Sequence, residues 1–95
     1  MTDDAKIDAV RDYLVREFPT LTPVVFPEQE RGPGTYFRLD ENGVRHHAIV
    51  TLEFLRFCAA EDILAILERF GLAEALREAG QSYVIVMPNG LRIEE

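Results

Sequence analysis

The chain of 95 residues carries one cysteine, Cys58, so it cannot close an intramolecular disulfide, and a reducing compartment is the simpler expectation. Lysine is equally scarce: nine of the ten basic residues are arginine and Lys6 stands alone, against seventeen acidic residues, for a net charge of −7. A surface of that sign repels phosphate backbones and favours solubility, which argues against a nucleic-acid partner. No apolar run approaches the ~18 residues of a membrane span. The segment Met1-Thr2-Asp3-Asp4 is acidic where a signal peptide would be basic, so the expectation is a cytoplasmic protein with no membrane partner. Phosphate-cradling motifs are missing as well. Neither GxGxxG nor a glycine-rich run ending in GK[ST] occurs, and Glu28 to Gly34 reads as a plain mobile loop. No cofactor is implied.

What is present is enough apolar content, 47%, to close one core over residues 1–95, with no internal boundary or repeat. The organising stretch is Thr35 to Phe57, which reads as a hairpin with a long second arm. Asp40-Glu41-Asn42-Gly43 supplies the turn, because Asp opens a turn through its own backbone and Asn-Gly accepts positive φ. Counting outward from a four-residue turn sets Leu39 opposite Val44, Arg38 opposite Arg45, Phe37 opposite His46 and Tyr36 opposite His47. Alternation then places Phe37, Leu39, Val44, His46, Ala48, Val50, Leu52 and Phe54 on a core face. The opposite face receives Tyr36, Arg38, Arg45, His47, Thr51 and Glu53, with Ile49 and Leu55 as its aliphatics.

Around the hairpin, a first helix is expected from Thr2 to about Phe18. Ile7, Val10, Leu14 and Phe18 form its stripe, widened by Tyr13, and Pro19 ends it. Pro23 to Pro27 reads as an edge strand whose prolines block strand addition. A further helix opens at Ala59-Ala60-Glu61-Asp62, buries Ile63, Ile66, Leu67 and Phe70, and stops at Gly71. Leu72 to Ala79 restarts the helical period up to Gly80. Ser82 to Met87 is nearly continuous and β-branched, the pattern of a strand covered on both faces, and after Pro88-Asn89-Gly90 a short last strand returns. The predicted class is α+β: a single domain with a mainly antiparallel sheet, helices on one face, and the order α-β-β-β-α-(α)-β-β. Its core is expected to hold Phe37, Val50, Leu52, Ile63, Leu67, Val84 and Val86.

A helix, three strands and a helix is also the element order of double-stranded RNA binding domains. The second helix here begins with Glu61-Asp62 and carries only Arg69, the wrong charge for phosphates. With its two further strands the order resembles that of small acidic secretion chaperones, in element order alone.

The residues that carry chemistry are few. Cys58 fills a strand-to-helix corner as a small apolar residue, and neither histidine lies near enough along the strand to act as its base. His46 and His47 are neighbours on a strand, point to opposite faces and cannot chelate one ion, so no metal is expected. Most carboxylates suit solvated helix faces and first turns, and no catalytic constellation emerges. Arg38 opposite Arg45 requires a counter-charge, either an intramolecular carboxylate such as Glu53 or one from a helix or the Glu28 to Glu30 loop, or an acidic segment of a partner. The functional reading is therefore a non-enzymatic protein-interaction module. It would bind a protein, or itself as a homodimer, through Tyr36, Arg38, Arg45, His47 and Glu53. The alternative is a small-molecule or anion-binding domain on the same face, whose enzymatic form would use Glu53 as acid or base.

Overall fold

The computed structural model describes residues 3–28 and 33–94, and the expected Thr2 cap and most of the 28–34 loop lie outside those residues. The elements are α1 (Asp3–Glu17), β1 (Val24–Glu28), β2 (Gly34–Glu41), β3 (Val44–Thr51), α2 (Leu52–Phe57), α3 (Ala60–Phe70), α4 (Leu72–Ala79), β4 (Tyr83–Met87) and β5 (Gly90–Glu94). The sheet runs in chain order, β1-β2-β3-β4-β5. Every neighbouring pair is antiparallel except β3 and β4, which are parallel because three helices intervene. This is the expected α+β architecture with one helix more than the sequence suggested.

The hairpin turn is shorter than the count assumed. Asn42 and Gly43, at φ 52° and 82°, form a two-residue turn, and Glu41 pairs with Val44. Arg38 therefore faces His47 and Arg45 faces Asp40; the two arginines are not opposite each other. Extending the first arm by two residues, Asp40 and Glu41, with the second still starting at Val44, moves every cross-strand partner by two, which leaves the side-chain parity intact. Phe37, Leu39, His46, Ala48 and Val50 are accordingly buried on the helix side, as expected, and Tyr36, Arg38 and His47 share the other.

The long second arm is the larger correction. The strand stops at Thr51, whose hydroxyl accepts from the Phe54 N–H at 3.2 Å, caps α2, and donates to the Val86 carbonyl at 2.8 Å. Phe54 and Leu55 are adjacent in sequence yet both join the same helix-side core cluster, where the alternating faces of a strand would send them to opposite sides; Leu52 is only partly buried. Glu53 becomes an exposed first-turn carboxylate of α2, stabilised by the helix dipole, and so leaves the polar sheet face to which it was assigned.

The helices pack on one face of the sheet. Val10, Tyr13, Leu14 and Phe18 join Ile63, Leu67, Leu72 and Leu76 over Phe37, Leu39, Val50, Val84 and Val86, while Ile66 and Phe70 are partly buried at the margin. Polar ties fix the helices to one another. The buried Tyr13 hydroxyl accepts from the Ala73 N–H at 3.0 Å, and Lys6 Nζ donates to the Leu55 carbonyl at 2.6 Å near the C-terminal end of α2. Gly71, at φ 70°, ends α3 and opens α4 in the left-handed conformation. Val84, Ile85 and Val86 are buried in succession, so β4 is covered on both faces. No helix among the described residues is long and apolar enough to cross a membrane.

Candidate functional site

The sheet face turned away from the helices is built by strand parity. The pairs Val24–Arg38 and Phe26–Tyr36, Tyr36–Ile49 and Arg38–His47, His47–Tyr83 and Ile49–Ile85, and Ile85–Arg92 place these side chains on one side. Ile49 and Ile85 are 1% and 3% exposed yet stand outside the helix-side cluster, so they form a small second apolar patch at the centre of this face.

Across that patch runs a row of rings, one from each of β1 to β4. Phe26 stacks on Tyr36 with centroids 5.7 Å apart, Tyr36 on His47 at 5.7 Å, and His47 on Tyr83 at 4.4 Å, with interplanar angles of 17–20°. The Tyr36 hydroxyl and His47 Nδ1 are hydrogen-bonded, so the row is held by polar as well as aromatic contact. Because the rings stack on one another, their faces are engaged with neighbouring rings. A base-binding sheet needs open ring faces. Burial raises the Tyr36 phenol above its ordinary 10.0, with the neighbouring Tyr83 adding to the shift and Arg38 opposing it, so the hydroxyl is protonated at neutral pH.

Arg38 lies beside the row with its guanidinium 5.8 Å from the Phe26 ring centroid. Its Nε is enclosed and has no hydrogen-bond acceptor among the described residues. Among the described residues its carboxylate neighbour is Asp40, 3.7 Å away and shared with Arg45, whose Nε lies 3.3 Å from the same oxygen. The counter-charge that the arginines call for is thus Asp40, from within the hairpin, and not Glu53.

The other candidates lie elsewhere. His46 is buried on the helix side, with Nδ1 3.2 Å from the Gly80 carbonyl and Nε2 3.3 Å from Glu41, the packed imidazole anticipated on the core face. It therefore points away from His47, and no group of three or more potential metal ligands occurs among the described residues.

Cys58 is a buried core residue at the C-terminus of α2, with its thiol pushed above the ordinary 9.0 by burial; Lys6 opposes that shift and Asp62 adds to it. A raised thiol is a poor nucleophile at neutral pH. Linkage gives the sign: the native state holds this proton longer than the unfolded chain does. Its contribution to stability is therefore complete below pH 9.0 and is lost as pH rises through the folded value; Tyr13 and Tyr36, also raised by burial, extend the loss above 10.0. The urea midpoint is expected to fall as pH rises above about 9, and Cys58→Ala should flatten the first part of that fall while costing about 1 kcal/mol at neutral pH. An unchanged alkaline profile in the variant would show that the thiol takes no part.

Of the five residues the sequence suggested, Tyr36, Arg38 and His47 come together, Arg45 sits at the hairpin end on Asp40, and Glu53 is absent from the face. Phe26 and Tyr83 went unforeseen. Their parity is readable within each strand, but their place beside Tyr36 and His47 depends on which strands pair, and the β3–β4 pairing spans three helices. The chain matches no protein-family model, and no curated protein or solved structure is significantly similar to it.

Proposed function

We propose that this protein is a non-enzymatic interaction module that holds an acidic segment of a protein partner on its open sheet face, through Tyr36, Arg38 and His47 with Phe26 and Tyr83 alongside. The observation that carries this reading is the shared carboxylate: among the described residues Asp40 serves both Arg38 and Arg45, so one guanidinium charge beside an aromatic row has no carboxylate of its own there. An incoming carboxylate would pair with the partly exposed remainder of the Arg38 guanidinium through charge-assisted hydrogen bonds. The amphipathic rings suit a protein interface, where tyrosine and arginine are enriched.

Affinity capture from native lysate, with the bound proteins identified by mass spectrometry, tests this. Arg38→Ser should lose the proteins held by the wild type while keeping the same circular dichroism. Asp40→Asn, which releases both guanidiniums, should hold them more tightly. An Arg38→Ser variant that captures the same set at the same yield, or a wild type that captures nothing above blank resin, overturns the reading.

A further inference from the structure

The two edges of the sheet are guarded differently. β1 carries Pro27 within it and follows Pro23, which removes donors from that edge. β5, Gly90-Leu91-Arg92-Ile93-Glu94, contains no proline, and no described strand lies beyond it.

Its hydrogen-bonding direction follows from the turn. Pro88-Asn89 is a two-residue loop closed by the Met87–Gly90 pair, so Gly90, Arg92 and Glu94 direct their backbone groups toward β4. Leu91 and Ile93 then direct their N–H and C=O outward, away from the sheet. Ile93 is also 49% exposed, on the helix side of the sheet, beside a groove lined by Ala75, Ala79 and Leu91 of the same chain.

We propose that β5 is a self-association edge, pairing antiparallel with β5 of a second copy about a twofold axis at Ile93 to give a continuous ten-stranded sheet. The occupant is selected by charge. Three registers match outward-facing residues to one another. Centring on Leu91 sets Arg92 opposite Gly90, and centring on Arg92 sets two guanidiniums face to face. Centring on Ile93 sets Arg92 of each copy opposite Glu94 of the other, so both ion pairs form at once. Within one copy Arg92 and Glu94 already approach to 3.4 Å, and the pairing joins two such pairs into a cluster of four alternating charges. In that register the two Ile93 residues exchange two backbone hydrogen bonds, and their side chains meet beside the α4 groove. This association stands on the edge geometry alone, leaves the aromatic face open, and holds or fails independently of what binds there.

Sedimentation equilibrium of the purified full chain tests it, with circular dichroism confirming that each variant is folded. The wild type should show a monomer–dimer equilibrium. Arg92→Glu and Glu94→Arg should each raise the dimer dissociation constant about tenfold or more, because each sets like charges opposite each other twice. The double reversal, Arg92→Glu with Glu94→Arg, restores both cross pairs and should recover the wild-type constant. A wild type that is monomeric at millimolar concentration overturns the proposal. So does a dimer that tolerates both single reversals, or a double reversal that stays as weak as the singles.

Discussion

Leu67→Ala is expected to lower the free energy of unfolding by roughly 2–5 kcal/mol, a large share of the ~5–15 kcal/mol that holds a domain of this size. Leu67 is fully buried near the middle of α3, in the core cluster with Val10 and Leu14 of α1 and the helix-side face of the sheet. Its loss removes apolar contact on all sides and leaves a cavity that two helices and a sheet cannot easily collapse. The neighbouring Leu64 is 39% exposed on the same helix, and Leu64→Ala should cost less than about 1 kcal/mol. Urea denaturation of the two variants measures the difference directly. A cost below about 1 kcal/mol for Leu67→Ala would mean that the apolar stripe of α3 does not face the sheet.

Gly34→Ala is expected to be nearly as damaging, at about 1–3 kcal/mol, for a reason invisible in any hydrophobicity count. A Cβ at this position would stand 2.4 Å from the Val50 carbonyl oxygen and 3.1 Å from Thr51 Cα, both backbone atoms that no rotamer change can move. Relief requires the strand itself to shift at the point where Gly34 pairs with Thr51 and the Leu52 N–H donates to the Pro33 carbonyl. Thr51 caps α2 and bonds β4 through one hydroxyl, so the disturbance reaches a helix start and a second strand. The check is the denaturation midpoint of Gly34→Ala together with amide exchange in β3 and the first turn of α2. Protection there at wild-type levels, with a loss below about 0.5 kcal/mol, would show that the strand yields without strain.

Most of the fold was legible from local pattern. The stripes of α1 and α3, the left-handed stop at Gly71, the doubly covered β4 and the proline-guarded edge at β1 follow from residues within a few positions of one another. Face assignment in the hairpin survived a wrong register because the error was an even one. The turn was read as four residues where Asn42-Gly43 suffices, and a two-residue change in partner leaves each side chain on its own face. Cross-strand partners, unlike faces, change with any shift of register. Arg38 opposite Arg45 became Arg38 opposite His47, and the countering carboxylate proved to be Asp40.

The signal for α2 was present and was outweighed by the run of apolar residues around it. Thr51 followed by Glu53 in a first turn is a helix-start pattern, and the adjacent Phe54 and Leu55 break strand alternation. A helix start at Thr51 takes Glu53 off the sheet face.

The sequence alone determined which faces of which elements are apolar, where helices stop, and that no disulfide can form within the chain, because each of these depends on residue type and short spacing. The tertiary structure decided which strands are neighbours. The parallel pairing of β3 with β4 across residues 52–82 is a long-range choice made by core packing, and it brings Tyr83 beside His47, Ile85 beside Ile49 and β5 to an open edge. No spacing along the chain encodes those contacts, because they join segments whose separation is set by the helices packed between them.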